Sequence, residues 1–464
     1  MVDQAVAPAH LVGRRVSARA LERIIAALRA PEPDIDRLAE VTRDLLEGPL
    51  LYHASRRRLH LQRFREIAER ARRQTDYYHD LFPRLGLDPA TLRYEDIARL
   101  PTTPKEAVRD DPDAFVSHRA RPFLRATTTG TTGTPTSICF SASELRLYAA
   151  LAAIPTFFTH DLEPSDLVQI STSARGLLGN VCLVGACAQV GAVASLAGVV
   201  EPAPVLAQLC ERHHLAGKKA RTSVLSTYPS YLGQLVEYGL AHHYQPADFG
   251  LERISVGGEI VTAGLKTRAA QLFGPVRFIE GLGMTEIWPV GGRRCEEGHL
   301  HFGGALGLVE VQPLSGSRSL EAGEVGTLIV TPFAPYRETT LLLRYATEDT
   351  VRMLPPGRAC SLCHLPATSN LLGKRRLAVR HDQGWTFPRQ VQEALEAIEA
   401  IPLPARCGFW AVPGGVAVEV RCRAKTPALE EQITDSLHAW GVPVQALHLV
   451  GGPFHERLGR WFLR

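Results

Sequence analysis

Short apolar runs alternate with helical stretches through the middle of the chain, and this alternation constrains the fold more than any other feature of the sequence. The predicted strands are residues 167–171, 223–226, 253–256 and 276–279. Helical patterns lie between the later strands, at residues 230–240 and 262–273. Because a strand–helix alternation builds parallel sheets covered by helices, we predict an α/β fold.

The sequence changes in character towards its C-terminal end. Strand-like runs at residues 306–311, 326–331 and 341–345 predict a β-rich subdomain over about residues 304–372. Beyond it, helices at 389–400 and 427–440 and strands at 409–412 and 416–421 predict a small α+β unit. We therefore expect a large N-terminal domain of β-sheets flanked by helices, residues 1–372, and a small mobile C-terminal domain, residues 373–464.

Composition limits the class of protein. A chain of 464 residues is too long for one compact core, and 45% apolar with 22% charged residues is typical of a folded, soluble protein. The net charge of +4 gives no reason to expect a nucleic-acid partner. The first twenty residues contain no apolar core of signal-peptide length, and the apolar stretch at 181–200 is broken by polar residues. We expect no membrane partner and a cytoplasmic location.

Residues 127–136 form the most distinctive short motif, with the sequence TTTGTTGTPT. Threonine hydroxyls, and main-chain N–H groups that the two glycines free to curl, suit an anion such as the phosphates of a nucleotide. The alternative is a threonine-rich turn between two strands, because glycine and hydroxyl residues are ordinary turn formers.

Three more motifs come later in the chain, in the order Gly257-Gly258-Glu259, LGMTE at 282–286 and RYATED at 344–349. Together with the threonine-rich loop, their order and spacing resemble the adenylate-forming superfamily of acyl-coenzyme A synthetases, adenylation domains and luciferases. LPTTPK at 100–105 and TYPSY at 227–231, with Tyr228 as an insertion, resemble segments of the phenylacetate–coenzyme A ligase branch. The resemblance covers roughly residues 94–390.

The resemblance implies an ATP site. Glu286 would coordinate Mg²⁺, Thr285 would bond the α-phosphate, and Asp349 would accept hydrogen bonds from the ribose hydroxyls. The loop residues that would hold the β- and γ-phosphates are Thr128, Thr129, Gly130, Thr131, Thr132 and Gly133. The residues that would frame the adenine are Gly258, Glu259, Gly283 and Met284.

The same resemblance implies the substrate and catalytic residues around this site. Tyr228, Gly257 and Trp288 would line the pocket of the substrate acid, and two rings suit a flat aromatic molecule. Lys374, in the hinge segment, and Arg460, in the C-terminal tail, would be the catalytic basic residues.

Cysteine and histidine residues suggest a metal site in the same region. The Cys-x-x-Cys pair at 360 and 363, with a Cys/His pair about sixty residues earlier, has the ligand number and softness of structural zinc. Members of the resembled branch often carry such a site. The predicted ligands are Cys295, His301, Cys360 and Cys363. His299 or His364 could replace His301, and free thiols or a redox pair are the alternatives.

The chain departs from the family pattern at three places. Thr134 stands where the phosphate loop usually has lysine, and no lysine follows Lys425, so Arg460 is the nearest equivalent of the tail lysine. The hinge pattern Gly-Arg-x-Asp-Asp reads GKRRL at 373–377. Activation by ATP is little affected by these changes, whereas the rotation of domains that makes a thioester loses its hinge aspartate.

We predict an AMP-forming ligase that activates a small, aromatic acid as an adenylate, releases pyrophosphate and transfers the acyl group to coenzyme A or an amine. Two alternatives stay open. One is a diazotase or amide synthetase that uses ATP and an amino-aryl acid without coenzyme A. The other is a degenerate nucleotide-binding homologue without catalysis. A homodimer is an expectation of the branch.

Overall fold

The computed structural model describes residues 53–128, 135–158, 161–173, 177–315, 320–355, 357, 360–363, 365–451 and 462–463. The α-helices in these residues are α1 His53–Gln74, α2 Asp76–Leu85, α3 Lys105–Asp110, α4 Ala142–Phe158, α5 Leu177–Val190, α6 Pro202–Cys210, α7 Pro229–Ala241, α8 Ala263–Phe273, α9 Pro388–Glu396 and α10 Pro427–Ala439.

The strands up to the middle of the chain are β1 Pro122–Thr127, β2 Ser137–Ser141, β3 Leu167–Ser171, β4 Val193–Leu196, β5 Val224–Thr227, β6 Arg253–Val256, β7 Arg277–Leu282, β8 Gly292–Arg294, β9 Leu300–Phe302 and β10 Gly307–Pro313. The later strands are β11 Val325–Pro332, β12 Tyr345–Arg352, β13 Ala367–Thr368, β14 Gly373–Lys374, β15 Val379–His381, β16 Gly384–Thr386, β17 Cys407–Val412, β18 Gly415–Arg421, β19 Val444–Val450 and β20 Phe462–Leu463.

An eight-stranded sheet in the order β13-β9-β8-β7-β6-β5-β3-β4 forms the centre of the large unit. Strands β4, β3, β5, β6 and β7 are parallel, and β8, β9 and β13 extend the sheet in antiparallel fashion. All five residues of β3 are buried, as expected for a parallel strand covered on both faces. The predicted α/β class is confirmed.

The predicted β-rich subdomain corresponds to a four-stranded antiparallel sheet, β10-β11-β12-β14. Its predicted third strand at 341–345 is wrong, because β12 begins only at Tyr345. The three leucines before it, at 341–343, are almost completely buried in the main core. The backbone of Leu343 bonds to side chains, since its N–H donates to Tyr78 and its carbonyl accepts from Thr103, at 2.8 and 2.6 Å.

The C-terminal unit has a sheet, β19-β18-β17-β20, and an apolar core of its own that α9 and α10 complete. The predicted boundary at residue 373 and the predicted mobility of the C-terminal unit stay predictions. No helix in the described part of the chain is long and apolar enough to cross a membrane.

Helix α9 of the C-terminal unit docks on the first turn of α8 in the large unit. The Ala263 N–H donates to a Glu393 carboxylate oxygen at 2.8 Å, and the Thr262 hydroxyl donates to Glu396. Both acids are buried, and they satisfy donors at the positive end of α8. A Cβ added to Gly264 would lie 2.0 Å from the Glu396 carbonyl oxygen, so only glycine permits this approach.

We expect Gly264→Ala to lower the free energy of unfolding by about 1–3 kcal/mol, because the added methyl group overpacks the α8–α9 contact. Gly179→Ala is the matched control: it also changes a helical glycine, but its Cβ would meet nothing within 4 Å. Denaturant unfolding of both variants measures the difference. Equal stability of the two variants would show that the two helices separate at little cost.

Candidate active site

The glycine motifs meet at one edge of the central sheet. Gly257 directly follows β6, and Gly283 directly follows β7, which pairs with β6 in parallel with Val256 opposite Glu280. Tyr228 follows β5, the neighbour of β6 on the other side. Carboxyl ends of adjacent parallel strands form the crevice in which open α/β sheets bind ligands. The three loops that meet at this edge therefore carry the residues predicted for the adenine, the substrate acid and, at Thr285, the α-phosphate.

The backbone of Gly258 favours glycine, because its φ of +83° lies in the left-handed region. A Cβ at this position would touch the ring of Tyr228 at 3.4 Å, an ordinary contact distance. Burial raises the pKa of the Tyr228 phenol, whose hydroxyl bonds to Ser173. Glu259 accepts hydrogen bonds from the backbone N–H and the hydroxyl of Ser230 at 2.8 and 3.0 Å. The carboxylate of Glu259 thus fixes the start of α7 against the loop.

Glu286 is the centre of the site, with only 2% of its surface exposed. Its Oε1 atom lies 3.1 Å from Lys105 Nζ and accepts a hydrogen bond from the Tyr345 hydroxyl at 3.0 Å. Burial and the neighbouring Glu286 charge raise the pKa of Tyr345 well above its ordinary value. The phenol therefore stays a neutral donor, and the lysine carries the balancing charge.

Backbone pairing explains how Lys105 and Tyr345 reach the same carboxylate. The Thr103 N–H donates to Arg344 O at 3.0 Å, and the Ala346 N–H donates to Thr103 O at 2.9 Å. This parallel bridge joins the LPTTPK segment to the start of β12. Neither Lys105 nor Tyr345 is among the predicted site residues. The scarcity of lysine, at six positions in the chain, is the signal that could have singled out Lys105.

Asp349 and Lys374, both predicted site residues, face each other across the β12–β14 pair. Lys374 Nζ lies 3.0 Å from Asp349 Oδ2 and donates to the Thr347 carbonyl at 2.9 Å. The neighbouring Glu348 has φ +63° and pairs with Arg376 at 3.3 Å. Arg376 thus places a positive charge in the GKRRL segment that the sequence predicts to be the hinge.

Trp288 lies on the loop after β7, next to the remaining motif residues. A Cβ on Gly283 would be 3.2 Å from its ring, and the Tyr148 ring meets it edge-on at 6.5 Å. The indole Nε1 is buried without a hydrogen-bond partner among the described residues. Met284 and Thr285, between Gly283 and Glu286, are half-buried. Trp288 and Tyr148 thus form an edge-to-face aromatic pair close to Glu286 in sequence, with a buried indole N–H that has no described acceptor.

The threonine-rich loop is described only at its base. Thr128 and Thr136 close it, since the Thr128 N–H donates to Thr136 O at 3.0 Å and the Thr136 N–H donates to Thr128 Oγ1 at 3.1 Å. Strands β1 and β2 form the antiparallel hairpin that carries it. The predicted residues Thr129, Gly130, Thr131, Thr132, Gly133 and Arg460 lie outside the described residues.

Four metal-ligating side chains cluster beside the β8–β9 hairpin. The ligand atoms of Cys295, His299, His301 and Cys360 all lie within 4.8 Å of one another, and Cys360 Sγ is 3.5 Å from His301 Nε2. His299 Nδ1 is buried with no hydrogen-bond partner in the described part of the chain. Cys363 is exposed and is not part of this group. His364 lies outside the described residues.

No family model matches the chain. A phenylacetate–coenzyme A ligase of Thermus thermophilus is 26% identical over 364 residues, which are 75% of this chain and 76% of the relative. The crystal structure of 2-hydroxyisobutyryl-CoA ligase in its postadenylation state, in complex with 2-HIB-AMP, superposes with a TM-score of 0.72 at 18% identity, over 87% of this chain and 88% of that one.

A second solved structure has the same fold over a shorter span. The anthranilate CoA ligase in complex with anthranoyl-AMP gives a TM-score of 0.53 at 18% identity, over 74% of this chain and 65% of that one. Sequence match and shared fold together confirm the predicted resemblance: the chain is similar in sequence to phenylacetate–coenzyme A ligase and has the fold of these CoA ligases.

Proposed function

We propose that the chain is an AMP-forming ligase that activates a small aromatic acid with ATP. The observation that carries the proposal is the buried Glu286 carboxylate, held by Lys105 and Tyr345 at the sheet edge where the glycine motifs meet. Burying a charged carboxylate costs desolvation free energy even when the carboxylate is paired. Buried charge clusters in clefts are typical of active sites. The relatives that make adenylates support the same chemistry.

The nucleotide would span the loops after β6 and β7 and the β12–β14 pair. Its base would lie against Gly258, where the backbone is open, and its ribose would bond to the Asp349 carboxylate beside Lys374. Its β- and γ-phosphates would enter the threonine-rich loop, where hydroxyls and N–H groups can bind them. Thr285 would donate to the α-phosphate.

The donor set around Glu286 fits Mg²⁺, a hard cation that prefers carboxylate and phosphate oxygens. Lys105 and Tyr345 both engage Oε1, so Oε2 is the oxygen available to the ion. When bound, the ion would neutralise phosphate charge during the reaction. Glu286 would hold it, and the tyrosine and the lysine would fix the orientation of the carboxylate.

The reaction itself needs positioning more than proton transfer. A carboxylate oxygen of the acid attacks the α-phosphorus, the bond to the bridging oxygen of pyrophosphate breaks, and an acyl-adenylate forms. The chain would place the acid between Tyr228, Gly257 and Trp288, and the loop would hold the leaving pyrophosphate. Fixed donors aimed at developing charge supply much of the rate in such sites. A nucleophile then displaces AMP from the acyl carbon.

The acceptor is coenzyme A in the first version of this proposal and an amine in the second. The hinge favours the second, because Arg376 pairs with Glu348 where the family has aspartate. A diazotase or amide synthetase acting on an amino-aryl acid is therefore the alternative. The reading as a degenerate homologue is weaker, since Glu286 and Asp349 are both buried and paired.

The cysteine–histidine cluster fits zinc. Two thiols and two imidazoles give the tetrahedral S₂N₂ set that zinc prefers, and the buried His299 Nδ1 lacks any other described partner. We therefore propose Cys295, His299, His301 and Cys360 as ligands, with His299 in the place predicted for Cys363. The ion would join the β8–β9 hairpin to the segment around Cys360.

Three expectations from the sequence stay predictions. They are the division of the chain at residue 373, a homodimer and a cytoplasmic location.

Pyrophosphate release with a panel of aryl and amino-aryl acids tests the activity. We expect one class of aromatic acid to support turnover, and Glu286→Gln to lower its kcat by about 10²-fold or more, because the metal ligand is lost. Glu211→Gln, at an exposed acid, is the matched control and should turn over normally. Normal turnover by Glu286→Gln would contradict the site.

The acceptor is tested by adding coenzyme A, amines or nitrite to the wild type with its acid and ATP. Because the adenylate forms before the acceptor attacks, we expect a single burst of pyrophosphate without acceptor and multiple turnovers with the correct one. Mass spectrometry of the product then separates thioester, amide and diazonium compounds. ATP binding with no pyrophosphate release in any mixture would favour the degenerate homologue.

Metal analysis of the purified protein tests the cluster, and we expect about one zinc per chain. Cys295→Ser or His299→Ala should release the metal, whereas Cys363→Ser should retain it because Cys363 lies outside the group. Loss of zinc in Cys363→Ser with retention in His299→Ala would instead support the ligand set expected from the sequence. Wild-type protein that folds without zinc would refute both.

A further inference from the structure

The six lysines of the chain differ in the residues that they contact. They are Lys105, Lys218, Lys219, Lys266, Lys374 and Lys425. Lys218 and Lys219 join segments at one end of the central sheet, where Lys219 pairs with Asp166 at 2.8 Å. Lys266 pairs with Glu280. Among the described residues, Lys105 alone reaches Glu286, the acid at the centre of the site.

We propose that Lys105 supplies the fixed positive charge that receives the triphosphate of the nucleotide, an inference that rests on the proposed function. The chain has threonine at position 134 and no lysine after Lys425, so neither the loop nor the tail brings an ammonium group to the phosphates. Lys105 comes instead from the N-terminal side of the fold, at the start of α3.

The position of Lys105 is set by its neighbours on the chain. Thr103, two residues earlier, bonds through its hydroxyl to Leu343 O at 2.6 Å and to Tyr78 at 2.7 Å. Its backbone bridges Arg344 and Ala346 on both sides of Tyr345. The base of a flexible side chain is therefore held on a rigid support, which reduces the entropy lost when its ammonium group binds a ligand.

Lys105 is the more exposed partner of the ion pair. Its side chain keeps 14% of its surface exposed, whereas that of Glu286 keeps 2%. Without ligand, the Lys105 ammonium group and the Glu286 carboxylate neutralise each other, so neither charge lacks a partner. A triphosphate brings several negative charges into a region of low dielectric, where a fixed cation a few ångströms away is worth more than in water.

The test isolates the charge of Lys105 from its bond to Glu286. Glu286→Gln leaves Lys105, whose side chain is 14% exposed, without its carboxylate, whereas the double variant Lys105→Met/Glu286→Gln removes both charges, and melting temperatures check that both variants fold. Calorimetry in EDTA then measures ATP and AMP binding without magnesium. We expect ATP to bind about tenfold more weakly to the double variant than to Glu286→Gln, and AMP to change by less than about threefold, because AMP lacks the β- and γ-phosphates.

Two further variants complete the design. Lys105→Arg/Glu286→Gln keeps the positive charge and should bind ATP almost as tightly as Glu286→Gln. Lys425→Met/Glu286→Gln removes an exposed lysine far from the site motifs in sequence and should bind ATP as Glu286→Gln does. Equal ATP affinity of the Lys105→Met double variant and Glu286→Gln would overturn the proposal. Wild-type protein that binds no ATP would instead overturn the nucleotide site as a whole.

Discussion

A single buried carboxylate, Glu286, links the three parts of the chain that build the site. It follows β7 of the central sheet, accepts a hydrogen bond from Tyr345 at the start of β12, and pairs with Lys105 at the start of α3. Removing one partner of a buried ion pair leaves an uncompensated charge, which costs about 3–5 kcal/mol. The contacts of this acid therefore help to hold the central sheet, the antiparallel sheet and the LPTTPK segment together.

The central sheet could be predicted because its signal is local. Four of the five parallel strands, all but β4, overlap strands that the sequence predicts, and β3 and β6 begin and end where the sequence indicates. The start of β12 could not be predicted, because an apolar run such as 341–343 fits a strand as well as a core loop. This run is a core loop because the side chains of Tyr78 and Thr103 form hydrogen bonds with the backbone of Leu343. Both residues lie more than 200 positions away in sequence.

In the candidate site, too, some features follow from local sequence motifs and others depend on contacts between distant segments. The glycine motifs follow predicted strands, and the ends of parallel strands converge at one edge whatever the loops contain, so their meeting could be expected from the sequence. The roles that the resemblance implies for these residues stay predictions. Lys105 could not be assigned, since its role depends on a strand-like bridge between Thr103 and Tyr345. In the cysteine–histidine cluster, the sequence favours Cys363 through its Cys-x-x-Cys pair and offers His299 only as a substitute for His301, whereas the structure groups His299 with Cys295, His301 and Cys360.

The close approach at Gly264 bears on how the chain can be divided. Helix α8 has no side chain at that position, and the buried carboxylates of α9 satisfy the donors of its first turn, so the start of the helix relies on the C-terminal unit for its acceptors. Arg268 on the same helix donates to the carbonyls of Glu399 and Ile401 at 3.0 and 2.9 Å. A chain cut before residue 373 would lack the acceptors for these donors. The two units have separate apolar cores, yet the contact between them completes the hydrogen bonding of α8.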